Sequence, residues 1–235
     1  MNLHKRIEVL GFIGEYLKED STSYAELRNR AFLENKWFTP EYIFRSGKII
    51  ADHMLDRDLL AAFAARYGVS EEPKNKTIGL VMAGNIPYVG LHDMLCIFLS
   101  GYSQRIKPSS KDSFMIKNLI QVTASAFPGF ENLVILDEML KGCDGYIATG
   151  NDNSARYFEY YFKKYPHIIR KNRTSVAVLD GDESQEQLEA LADDIQLYFG
   201  LGCRNVTQVL VPENYDFVPL LGALRMSCMW KPLMR

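Results

Sequence analysis

Residues 77–87, TIGLVMAGNIP, decide how this chain is read. The run from Thr77 to Met82 is short, apolar and bounded by polar residues, which predicts a buried strand. Ala83 and Gly84 end it. Glycine lets backbone approach a neighbour closely, Asn85 can aim its amide into a cleft, and Pro87 suits the first turn of a following helix. Taken alone, the segment is a plain strand-to-helix turn with an asparagine cap. Its weight comes from what lies on either side.

Downstream, strand and helix alternate. The pattern predicts a helix over 89–100, a strand over 104–107, a helix over 113–126, strands over 132–136 and 146–148, and a helix over 153–162. Strands over 167–169 and 175–179, a helix over 185–198 and a strand over 205–211 follow. Such alternation with short connections predicts the α/β class, a Rossmann-like, mainly parallel sheet with helices on both faces. Upstream, residues 1–70 read as helices. Ile7, Leu10, Ile13, Tyr16 and Leu17 recur at helical spacing, and Thr39-Pro40-Glu41 gives a capping hydroxyl, a proline at the first helical position and an acid in the first turn. Ile43, Ile49, Ile50, His53 and Met54 continue that helix, and another over 59–67 ends near Gly68. Polar SEEPKNK, residues 70–76, is the best linker. The expected organisation is a helical region 1–70, a nucleotide-binding domain 71–202, and the opening of a catalytic domain over 203–235.

Composition removes several function classes. The 235 residues are 47% hydrophobic and 24% charged, with a net charge of −2, which argues against a generally basic nucleic-acid surface. No apolar run approaches the roughly 18 residues of a membrane span. The charged opening, residues 1–8, shows no secretory signal, so a cytoplasmic location is expected. Cys96, Cys143, Cys203 and Cys228 form no CxxC pair and the four histidines are scattered, so neither a metal centre nor a disulfide framework is expected. The question narrows to whether one cysteine is reactive.

Doubly wound sheets bind ligands at the carboxyl ends of their strands. After the second strand comes IKPSSKD, residues 106–112, where Lys107 and the hydroxyls that follow suit ribose or phosphate; the plain alternative is a solvated turn. After the fourth comes ATGNDNSAR, residues 148–156, entering a helix N-terminus that favours anions. It is not GxGxxG, so the standard dinucleotide fingerprint is absent. Between the last helix and strand lies FGLGCRN, residues 199–205. Small neighbours expose the Cys203 sulfur and Arg204 favours its thiolate, whereas the plain alternative is an inert buried cysteine. Cys96 reads as core, and Cys143 and Cys228 as packing or surface thiols. His92 is a general-acid candidate by residue type only; a histidine on an apolar helix is more often structural.

Together and in order, these segments resemble the aldehyde dehydrogenase superfamily. AGNIP stands in the place of its PWNFP turn, IKPSS of KPSE, ATGN of TGS, SVAVLDGDE of the stretch after ELGGK, and GLGCRN of the GQxC nucleophile loop. HIIRKNRTSVAVLDG and YFGLGCRNV are closer to the bacterial fatty acyl-CoA reductases that supply aldehyde for bioluminescence. The resemblance implies Cys203 as nucleophile and Asn85 as oxyanion donor beside the Cys203 N–H. It also implies Lys107 and Ser109 at the adenosine ribose, and Gly150 and Asn151 along the pyrophosphate and nicotinamide. Two departures refine this. The glutamate of ELGGK, which activates water in aldehyde-oxidising members, aligns near Arg170 with no carboxylate expected nearby, which suits acyl exchange with CoA. The glutamate of KPSE is Ser110, followed by Lys111, which tilts the expected cofactor to NADPH, with NADH as the alternative. The expected activity is reduction of fatty acyl-CoA to aldehyde. A non-acylating aldehyde dehydrogenase and an inactive nucleotide-binding fragment are the competing expectations, the latter because only about thirty residues follow Cys203. A homo-oligomer, or a partner enzyme that consumes the aldehyde or activates the acyl group, is compatible with this reading.

Overall fold

The computed structural model describes residues 1–171 and 173–226. The chain forms two compact units, Met1–Lys171 and Asn172–Arg235.

The first unit opens with four helices, α1 (Leu3–Lys18), α2 (Thr22–Glu34), α3 (Pro40–Met54) and α4 (Arg57–Arg66). Each starts at a polar cap. The side chains of Asn2, Ser21, Thr39 and Asp56 accept backbone N–H groups of the first turn, which would otherwise lack partners. The expected start at Thr39-Pro40 is realised. Apolar periodicity does not single out α2. It buries Tyr24, Arg28 and Ala31, and the Arg28 guanidinium lies over the rings of Tyr24 and Phe44 while pairing with Asp20 at 3.0 Å.

The sheet follows: β1 (Thr77–Val81), α5 (Leu91–Leu99), β2 (Ser103–Lys107), α6 (Ser113–Ala126), β3 (Val134–Leu136), β4 (Gly145–Thr149), α7 (Asp152–Phe162) and β5 (His167–Arg170). The five strands are parallel in the order β3-β2-β1-β4-β5. Chain order reverses between β1 and β4, so a crevice at the strands' carboxyl ends is expected there. Leu80 at the centre of β1 is fully buried, and it shares one apolar core with Ile106 and Phe98 and with Val9, Ile13 and Leu17 of α1. The N-terminal helices are therefore part of the body that carries the sheet. Several boundaries shift from expectation, two of them for a visible backbone reason. The strand expected from 132 begins at Val134, because Gly129 at φ 92° launches a 3-10 turn over Phe130–Asn132. The helix expected from 89 begins at Leu91, because Tyr88 takes φ 60° and holds the chain out of helical geometry.

The second unit contains β6 (Ser175–Val178), α8 (Gln185–Gln196), β7 (Val206–Leu210) and α9 (Val218–Met226). β6 and β7 pair in parallel, and α8 packs on α9 through Leu188, Leu191, Ala192, Leu220 and Ala223. A reciprocal capping box between Ser184 and Gln187 starts α8. The helix expected to reach 198 ends at Gln196, since Tyr198 and Phe199 sit at φ 54° and 57°. α9 lies beyond the last expected element. Cys228 falls outside the described residues.

Candidate active site

Three loops leave the carboxyl edge of the sheet side by side. The register pairs Val81 of β1 with Lys107 of β2 and with Ala148 of β4. The Met82 N–H then donates to the Lys107 carbonyl at 3.0 Å, so the first two loops start together. They remain in contact. A Cβ on Gly84 would lie 2.3 Å from Ser109 Cβ and 2.4 Å from its Oγ, so only glycine lets the Asn85 loop pass over Ser109. Lys107 is exposed at the end of its strand, and the Lys111 N–H donates to Ser109 Oγ at 3.3 Å. Asn85 is half-buried beside them.

Asp112 ties the two loops together. Its side chain is buried, and Oδ2 accepts the Tyr88 N–H at 2.9 Å. That bond fixes the residue with left-handed backbone, and the Tyr88 hydroxyl lies 3.1 Å from that of Tyr24. Burial pushes the Asp112 carboxyl up to about 8, against the smaller opposing effect of the Tyr88 N–H. Oδ1 has no hydrogen-bond partner, which a neutral carboxyl tolerates better than a carboxylate.

The third loop carries Gly150 and Asn151. The Gly150 N–H donates to the Arg170 carbonyl at 3.1 Å, and a Cβ there would lie 2.9 Å from Ser154 Cβ. Asn151 is the N-cap of α7, its Oδ1 accepting the Ser154 N–H at 2.8 Å. Its carbonyl is thus committed to the helix. Among the described residues, no three His, Cys, Asp or Glu side chains converge as metal ligands, and no helix is long and apolar enough to cross a membrane.

This arrangement matches known structures over nearly the whole chain. An NAD-dependent aldehyde dehydrogenase from Sinorhizobium meliloti superposes with a TM-score of 0.74 at 16% identity, covering 96% of this chain and 49% of that one. A propionaldehyde dehydrogenase from a Clostridium phytofermentans bacterial microcompartment gives 0.74 at 11% identity, covering 96% and 56%. An NADP-dependent glyceraldehyde-3-phosphate dehydrogenase from Bacillus halodurans, complexed with NADP, gives 0.68 at 15% identity, covering 96% and 52%. The fold is that of the aldehyde dehydrogenases. The chain spans about half the length of the solved structures it matches. No protein-family model and no curated protein matches the sequence.

Within this aldehyde dehydrogenase-like fold, Asn85, Lys107, Ser109, Gly150 and Asn151 lie in the first unit and Cys203 in the second. Cys203 is exposed on the loop between α8 and β7. Its loop is organised by Asn205, a buried residue that the sequence reading does not single out. The Gly202 N–H donates to Asn205 Oδ1 at 2.7 Å, and Asn205 Nδ2 donates to the carbonyls of Asp194 at 2.8 Å and Leu197 at 3.0 Å. A buried asparagine two residues after the cysteine is the sequence signal that marks it. Arg170, by contrast, does have a carboxylate beside it. Asp93 of α5 accepts Arg170 Nη1 at 2.6 Å, a partner that sequence distance conceals. Nor is Cys96 core: it is half-buried, with Sγ 3.8 Å from His92 Nε2. Cys143 is buried as packing.

Proposed function

We propose that this chain is the cofactor-binding half of an NADPH-dependent fatty acyl-CoA reductase. The observation that supports it most is the convergence of Asn85, Lys107 and Ser109 on adjoining loops at the sheet's carboxyl edge, within an aldehyde dehydrogenase-like fold. The donor set fits a nucleotide. Lys107 offers an exposed ammonium and Ser109 a hydroxyl for the adenosine ribose, and the first turn of α7 after Gly150 and Asn151 offers N–H groups to the pyrophosphate. Ser110 and Lys111 in place of a carboxylate favour NADPH over NADH. The nucleotide-binding region proposed is 71–202, with catalytic residues from 203 onward.

In this reading the Cys203 thiolate attacks the acyl-CoA carbonyl and the CoA thiolate leaves, giving an acyl enzyme. Asn85 and the Cys203 N–H are the oxyanion donors that the resemblance to the superfamily implies; one such donor is typically worth about 3 kcal/mol. A reduced nicotinamide coenzyme held by Lys107, Ser109, Gly150 and Asn151 would supply hydride, and Cys203 would leave the reduced acyl carbon as the thiolate. Arg170 stands where a water-activating glutamate would act, and its pairing with Asp93 leaves that carboxylate neutralised, which favours acyl transfer over hydrolysis.

The test is peptide-mapped mass spectrometry after mixing with a long-chain acyl-CoA. One acyl group on Cys203, absent from Cys203→Ala, is expected. A folded chain with no acyl group on Cys203 would remove the proposal.

A further inference from the structure

The first unit also holds a cavity of about 230 Å³. Its walls are apolar: Leu10, Met54, Leu60 and Phe63 from the N-terminal helices and Leu95 and Leu99 from α5. Leu59, His53, His92 and Cys96 are the other groups that face it. His92, Leu95, Cys96 and Leu99 follow one another at spacings of three, one and three residues, and so share one face of α5.

The thiol in this wall does not stand alone. Cys96 Sγ lies 3.8 Å from His92 Nε2, and Nδ1 of the same ring lies 3.4 Å from Asp93 Oδ1. The other oxygen of Asp93 accepts Arg170 Nη1 at 2.6 Å, which fixes the carboxylate from β5. Thiol, imidazole, carboxylate and guanidinium therefore stand in file, the order in which a base is oriented toward a nucleophile. Asp93 first and Cys96 second hold the His92 imidazolium well above its ordinary value, so the imidazole readily carries the thiol proton.

We infer that Cys96 is a second nucleophilic thiol, S-acylated by thioesters whose short apolar acyl chain lodges in this cavity. Cys96 attacks as the thiolate with its proton held on His92, and the sulfur electron pair forms the new bond to the acyl carbon. The donor's carbon–sulfur bond breaks, and its thiolate departs with the electron pair and takes the proton from His92. No oxidant or reductant is required. His92 acts on the thiol, Asp93 and Arg170 position His92, and the apolar walls select the chain. Its nucleophile is distinct from Cys203, while the Arg170–Asp93 pair enters both readings.

The experiment uses the full chain with hexanoyl and acetyl thioesters of N-acetylcysteamine, small enough that no nucleotide site is needed, and peptide-mapped mass spectrometry. The Cys203→Ala protein is expected to gain one hexanoyl group on Cys96, and the Cys96→Ser, Cys203→Ala double variant none. His92→Gln should slow labelling of Cys96 by at least about tenfold, as loss of a positioned base does. Acetyl should label Cys96 at least about tenfold more slowly than hexanoyl, since it leaves four methylenes of burial unused. An unlabelled Cys96 in a chain with a folded circular dichroism spectrum would overturn the inference. So would equal rates for His92→Gln and the parent, or for the two chain lengths. Label confined to Cys203 would sink this site and leave the reductase proposal standing; label confined to Cys96 would do the reverse.

Discussion

Single residues carry the most exposed claims. Gly84 passes so close to Ser109 that an added methyl has no room. Gly84→Ala should cost about 1–3 kcal/mol of stability in a denaturant melt, the usual range for overpacking, and should weaken nucleotide binding more than it weakens the fold. Asp112 makes a prediction with a definite sign. Its carboxyl ordinarily titrates at 3.8 and is raised to about 8 in the fold. Below about pH 4 both folded and unfolded chains hold the proton. Between about 4 and 8 only the folded chain does, so this group's contribution to stability declines as pH rises and reaches its floor above about 8. Asp112→Asn keeps an acceptor for the Tyr88 N–H and cannot ionise. Its melting temperature relative to the parent should therefore climb between pH 5 and pH 8; a difference that does not change with pH would show that Asp112 is not held neutral. Asn205→Ala strands the Gly202 N–H and the carbonyls of Asp194, Ile195 and Leu197, and a hydrogen bond of this kind contributes about 0.5–1.5 kcal/mol. Faster, less selective alkylation of Cys203 should accompany the loss.

Elements show where sequence reading succeeds and where it stops. Thr39, Pro40 and Glu41 announce α3 because a cap is a local device, and the structure places the Thr39 hydroxyl on the Tyr42 N–H. β1 and β4 are legible because buried parallel strands are short apolar runs. α2 is not, since its hold on the core comes from Arg28 over two rings rather than from an apolar stripe. The end of α8 and the start of α5 shift for a different reason. Tyr88, Tyr198 and Phe199 adopt left-handed backbone, which residue type alone argues against. Likewise Ser109 and Lys107 are visible in sequence, while the pairing of Asp93 with Arg170 across 77 residues is not. Ser184→Ala, which removes the α8 capping box, should destabilise by about 1 kcal/mol in a urea melt; no change would mean that packing against α9 alone sets this helix.

At the scale of the whole molecule, the helical region and the parallel sheet share one core, and the strand order places the reversal at β1 and β4. That topology brings the loops after β1, β2 and β4 to one edge of the sheet, where the proposed ligand site lies. The expectation of a Rossmann-like, mainly parallel sheet is met in an aldehyde dehydrogenase-like fold, and the motif order in the sequence carried that much. The choice of NADPH rests on Ser110 and Lys111 and remains a proposal, as does acyl-CoA as substrate. The most direct measurement is a fluorescence titration of NADPH into the chain and into Lys107→Ala. Saturable binding, weakened by about tenfold or more in the variant as a charged hydrogen bond is lost, is the expected result. No binding to the folded chain, or equal binding by both proteins, would contradict the assignment of the strand-end loops as a nicotinamide nucleotide site.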